Sequence, residues 1–107
     1  MKVLDKEFTN RDIKYKQIYR EGVYAIYETT SLNNRFPVHW EVIEIEKHKA
    51  FQFLGKPYVP EGEQYPHPND WGKMGYTCLT RQDAYARLDM MKKDEIIKKT
   101  RKTKHKD

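Results

Sequence analysis

Two runs rich in Tyr, Ile and Val, residues 15–20 and 23–29, meet at Glu21-Gly22. A glycine between such runs supplies the positive φ of a tight turn, so the pair predicts an antiparallel hairpin and a chain built around a sheet. Asn and Pro cluster in residues 31–37, where the alternation stops, and this segment reads as a loop. Residues 38–46 form the clearest further strand, with Val38, Trp40 and Val42 inward and His39 and Glu41 outward. Ile43 and Ile45 have the opposite parity, so keeping one apolar face requires a β-bulge near Val42-Ile43. Lys47-His48-Lys49 would turn the chain into a fourth strand over residues 50–54, antiparallel to the third and ended by Gly55.

Between Gly55 and Gly75 the composition changes: four of the five glycines and four of the five prolines fall there, with Tyr58, Tyr65 and Trp71. Loops this long are uncommon in compact domains unless functional or disordered, and the aromatics argue for order. Residues 76–79 read as a short strand. Thr80 is then placed to cap a helix beginning at Arg81, with Asp83 at the third position. Ala84, Leu88 and Met91 lay one apolar stripe against the sheet, whereas Ile96 and Ile97 fall out of phase with it. Ala86, Met90, Lys93 and Ile97 would line a second face, open to a partner. The expected fold is α+β, a small antiparallel sheet of four to five strands packed by one C-terminal helix.

Charge divides the 107 residues in two. Residues 92–107 hold eight Lys or Arg against three acids, while residues 1–91 hold thirteen of each, so the net +5 belongs wholly to the end of the chain. One compact domain over residues 1–91 follows, with a basic extension over 92–107 that finishes the helix and then is expected to be disordered. High aromatic content, 13%, argues that the first part folds despite 35% charged residues. One cysteine, Cys78, excludes an intramolecular disulfide framework. With no apolar stretch of membrane-spanning length, the reading is a soluble, cytoplasmic protein with no membrane partner.

Candidate sites differ in how well their chemistry is specified. Lys98, Lys99, Arg101, Lys102, Lys104 and Lys106 would attract a phosphate polyanion by releasing its counterions, without reading sequence. Tyr58, Tyr65 and Trp71, with Ile97, are candidates for docking a protein partner. His39, His48, His67 and His105 lack the close spacing of metal ligands, so no metal and no cofactor are expected. Glu61, Glu63, His67 and Asp70 cluster in the long loop, where acid-base work would require them to converge.

Gly22-Val23-Tyr24-Ala25-Ile26-Tyr27 resembles the opening strand of the GIY-YIG endonucleases, which makes a nuclease remnant the outside alternative. No second Y-I-G follows. A longer resemblance joins Trp40-Glu41-Val42, Gly55, Glu63, Pro66, the run Trp71-Gly72-Lys73-Met74-Gly75-Tyr76-Thr77 and Ala84. It is similar to a group of small phage and bacterial proteins with W-G-x-x-G-aromatic-T before a closing helix, and implies a fold without a transferable activity. The function expected from residues and resemblance together is a non-enzymatic, phage-type binding protein. Its domain would recognise a partner and its tail would hold nucleic acid, in host cytoplasm if phage-encoded. The alternative is a protein-interaction factor, an inhibitor of host machinery or a minor virion component, docking through the aromatic loop.

Overall fold

The computed structural model describes residues 2–33 and 35–104, with side chains through Glu95. Five strands form one antiparallel sheet: β1 (Glu7–Asn10), β2 (Ile13–Glu21), β3 (Tyr24–Ser31), β4 (His39–Glu44) and, after a separate two-stranded ribbon, β7 (Gly75–Cys78), in the order β1-β2-β3-β4-β7. The ribbon pairs β5 (Glu46–His48) with β6 (Gly62–Gln64), and a 3-10 turn spans Pro68–Asp70. Helix α1 (Arg81–Lys104) closes the chain. The α+β expectation is met.

The β2-β3 hairpin is closed by Gly22 and Val23, with Gly22 at φ 61°. The β1-β2 turn uses Arg11 and Asp12, both at positive φ without being glycine. Side chains rarely adopt that conformation, which is why β1 was not expected from the turn chemistry.

Tyr24, Ala25, Ile26 and Tyr27 are all buried, so β3 is covered on both faces. Tyr24 and Ile26 join Val42, Ala84, Leu88 and Met91 under α1. Ala25 and Tyr27 join Ile43 and Ile45 on the opposite face, against Leu4, Phe8, Tyr15, Tyr65 and Trp71. This corrects the bulge expected near Val42-Ile43: β3 and β4 pair in uninterrupted register from Tyr24↔Glu44 to Thr29↔His39. No bulge is needed there, because each parity of β4 has its own core. Val38, expected inward, is exposed.

The irregularity lies instead in β2, between Gln17 and Tyr19. Gln17 opposes Tyr27 while Tyr19 opposes Ile26, so one extra residue, Ile18, shifts the odd-numbered side chains from one face to the other. Tyr19 and Ile18 thereby reach the helix side. Arg20 is turned to the other side, where both its terminal nitrogens donate to the Glu63 carboxylate at 2.8 and 2.7 Å. Glu63 also accepts from the backbone N–H of Leu4 at 3.0 Å, and its side chain is 7% exposed. The fork fixes β6 and the N-terminal segment to the sheet.

Two further expectations are overturned. Residues 50–54 form no strand beside β4; Phe51 and Val59 exchange two backbone bonds in an isolated bridge instead, with Phe53 and Leu54 exposed at its tip. The would-be turn Lys47-His48 belongs to β5, whose partner β6 comes from inside the expected loop. The apolar run lacks a sheet edge to join, since β7 already occupies the free side of β4.

Helix α1 begins as its sequence indicates: the Thr80 hydroxyl accepts from the Asp83 N–H at 3.0 Å. Ala84, Leu88 and Met91 are buried on the sheet. The chain from Arg81 to Lys104 contains no Gly or Pro, and its Lys, Arg and Met residues are good helix formers, so the backbone stays helical past the core.

Cores on both faces predict that Ile26→Ala and Ile43→Ala each cost about 2–5 kcal/mol in urea unfolding, although the two residues serve opposite sides of the sheet. Separately, the Arg20 fork and the Leu4 N–H lower the Glu63 pKa from 4.5 to about 2. A depressed carboxylate contributes stability above its unfolded pKa and loses it as pH falls through the folded one. The urea midpoint should therefore decline between pH 4.5 and about 2, and Glu63→Gln should flatten that part of the profile.

Candidate functional site

The second face of the sheet carries an aromatic cluster. Phe8 from β1 stacks on Tyr15 from β2 at 4.6 Å between centroids and 10° between planes. Tyr65 meets Phe8, Tyr15 and Tyr27 edge-on at 5.7, 5.7 and 5.4 Å. Trp71 lies 6.3 Å beyond Tyr65 with a 24° interplanar angle. Tyr27 anchors the group: it is fully buried, its hydroxyl donates to the Asp5 carbonyl at 2.7 Å and accepts from Gln17 Nε2 at 3.0 Å.

Trp71 is held by two contacts. Its Nε1 donates to the Thr77 hydroxyl at 3.0 Å, and its ring lies across Gly75, where an added Cβ would come well within 3.0 Å of the ring. On the opposite face, Tyr76 donates to the Gly72 carbonyl at 2.7 Å, and the Arg87 guanidinium sits 4.5 Å from its ring centre. The W-G-x-x-G-aromatic-T segment thus straddles β7.

A cavity of about 530 Å³ opens beside these rings, lined by Phe8, Asn10, Tyr15, Glu41, Tyr65, Pro66, Pro68, Trp71 and Thr77. Glu41 contributes its only acid. Tyr65 donates to one Glu41 oxygen at 2.5 Å, and the other lies 3.4 Å from His39 Nε2. Burial first, and then the Glu41 charge, push the phenols of Tyr65 and Tyr15 above their usual range. Tyr65 thus meets Glu41 as a neutral donor. Among the described residues no cysteine, serine or histidine lines the cavity.

A second recess, about 520 Å³, lies where α1 crosses the end of β4, lined by Tyr24, Glu44, Lys73, Asp94 and Glu95 among others. Tyr24 donates to Glu95, and Lys92 pairs with Glu21, tying α1 to the hairpin beyond the last core residue. Burial, followed by Glu95, raises the Tyr24 pKa.

The predicted sites separate. Tyr65 and Trp71 share the aromatic cavity, while Tyr58 is 62% exposed and lines no part of it. Glu63 is held by Arg20, and His67 Nδ1 accepts from the Asn69 N–H at the 3-10 turn, so the loop acids do not converge. Among the described residues no group of three or more His, Cys, Asp or Glu could hold a metal ion. Ile97, Lys98, Lys99, Arg101, Lys102 and Lys104 have helical backbones, but their side chains, and all of Lys106, lie outside the described residues. Phe8, Tyr15 and Glu41 were not singled out in the sequence. The signal that pointed to them is the run Tyr24-Ala25-Ile26-Tyr27, apolar at both parities and so demanding cover on both faces.

No family model, no curated protein and no solved structure matches this chain.

Gly75→Ala should lower stability by about 1–3 kcal/mol, because the Trp71 ring is tethered to Thr77 and cannot swing away freely. Chemical denaturation reads the loss. Loss of the Trp71 fluorescence environment below the unfolding midpoint would show that the cavity wall shifts first.

Proposed function

We propose that this chain is a small non-enzymatic binding protein of the phage type, in which the sheet carries a basic helical arm that holds nucleic acid through its phosphates. The supporting observation is the continuity of α1. It is packed on the sheet through Met91, tied by Lys92 and Glu95, and runs on without a break to Lys104. At 1.5 Å per residue the arm reaches about 20 Å along its axis beyond Met91. Residues 98–104 supply five Lys or Arg and no acid, at the helix end where cations also offset the backbone dipole. Binding of this kind follows charge density and helix shape, and carries no base preference. Among the described residues no helix is long and apolar enough to cross a membrane.

A second reading, a protein-docking factor, is favoured by the 51–59 turn. Leu54 there is fully exposed and Phe53 and Tyr58 stand largely in solvent, an apolar tip of the sort found at contact hot spots.

The phosphate reading is tested by fluorescence anisotropy with a duplex oligonucleotide over a salt series. The full chain is compared with a full-length variant carrying Lys98→Gln, Lys99→Gln, Arg101→Gln, Lys102→Gln and Lys104→Gln. Affinity should fall steeply with salt, and the variant should lose about one unit of the log-log slope for each phosphate contact removed, irrespective of sequence. Equal slopes for the two proteins would sink the proposal.

A further inference from the structure

We propose that the aromatic cavity on the second face of the sheet is a binding site for a single organic cation, an alkylammonium or guanidinium group. This site is separate from the phosphate-binding arm and does not depend on that reading.

The lining carries the argument. Of nine described lining residues, four are aromatic, one is acidic and none is Lys or Arg, although the chain holds 21 basic side chains. A cavity on such a protein that contains a carboxylate and no base is selective by charge. Aromatic faces carry negative quadrupole density, which attracts a positive group, most strongly when the group is also desolvated.

Glu41 supplies the fixed charge. Its side chain is 13% exposed, and its partners are a neutral phenol at 2.5 Å and an imidazole nitrogen at 3.4 Å. Among the described residues it forms no ion pair with Lys or Arg. A carboxylate withdrawn from water without a Lys or Arg partner is costly. A cation entering the cavity would complete its electrostatics while the rings enclose the cation's alkyl surface.

The other walls fit the same occupant. Pro66, Pro68 and the aromatic rings present apolar surface, and Asn10 adds one polar group at the β1 end. The volume of about 530 Å³ exceeds what one trimethylammonium or guanidinium head needs, and falls within the range of small-molecule sites. An anion would meet Glu41, and a purely apolar ligand would bury that charge without compensation.

The experiment uses the full chain at neutral pH, followed by two-dimensional NMR with the indole N–H of Trp71 as reporter and that of Trp40, on the helix side, as control. The probes are tetramethylammonium chloride, capped arginine and capped lysine, against tert-butanol as a neutral near-isostere and sodium chloride at matched ionic strength. Saturable shifts at Trp71 and Thr77 are expected with the cations. Glu41→Gln should weaken them about tenfold and Trp71→Phe about threefold. Glu41→Gln keeps an acceptor for Tyr65, so the fold is retained, and thermal unfolding verifies this; should Trp71→Phe fail to fold, Glu41→Gln alone decides. Tighter binding of the capped amino acids would identify a protein side chain as the source, and tighter binding of tetramethylammonium a free amine, each supporting the site. Absence of saturation with every cation, equal affinity for tert-butanol, or unchanged affinity in Glu41→Gln overturns it.

Discussion

Burial of β3 on both faces is the constraint from which the other elements follow. A strand with Tyr24, Ala25, Ile26 and Tyr27 all inside cannot belong to a two-layer sheet with one wet side. One layer is supplied by α1, whose stripe of Ala84, Leu88 and Met91 covers Tyr24, Ile26 and Val42. The other has no helix to draw on. It is assembled from Leu4, Phe8, Tyr15, Tyr65 and Trp71, and large rings cover area that a short chain could not otherwise cover. Tyr15, Tyr27 and Tyr65, with Phe8 and Trp71, thus compensate for a modest aliphatic content. They also make the second layer irregular, and a cavity remains beside its rings.

The bulge at Ile18 couples the two layers. In regular pairing Tyr19 and Arg20 would exchange faces: the tyrosine would leave the helix side and the guanidinium would be carried beneath α1. With the extra residue, Tyr19 packs edge-on to Tyr85 at 5.5 Å, and Arg20 meets the carboxylate of Glu63. One inserted residue therefore places a charge and an aromatic ring on the sides where each has a partner.

Where local chemistry decided the outcome, the sequence was legible. Gly22 marks the hairpin, Thr80 and Asp83 mark the helix start, and the spacing of Ala84, Leu88 and Met91 names its buried stripe. Elsewhere the deciding partner was distant. The run from Phe51 to Leu54 has β-type composition but no free edge beside β4, and β1 hides behind a turn made of Arg11 and Asp12. The candidate cavity was half visible. Tyr65 and Trp71 were identified by the composition of their loop, whereas Phe8, Tyr15 and Glu41 come from three other strands and converge only through register. Glu41 read as outward because one wet face was assumed, and outward is in fact toward the second layer.

The second layer also differs from the first in how the chain must build it. β1 to β4 join neighbours along the sequence, so their pairing closes short loops. The second cover instead brings Leu4 to Glu63 across 59 positions, with Lys2 bonded on either side of Gly62. Contacts of such separation form only after the intervening meander has been ordered, since loop closure must be met first. The same segments are fastened through these long-range contacts, which makes them the natural unit of partial opening in the native state. The helix face would then stay protected against hydrogen exchange while the aromatic face opened and closed, giving one sheet two surfaces with different lifetimes.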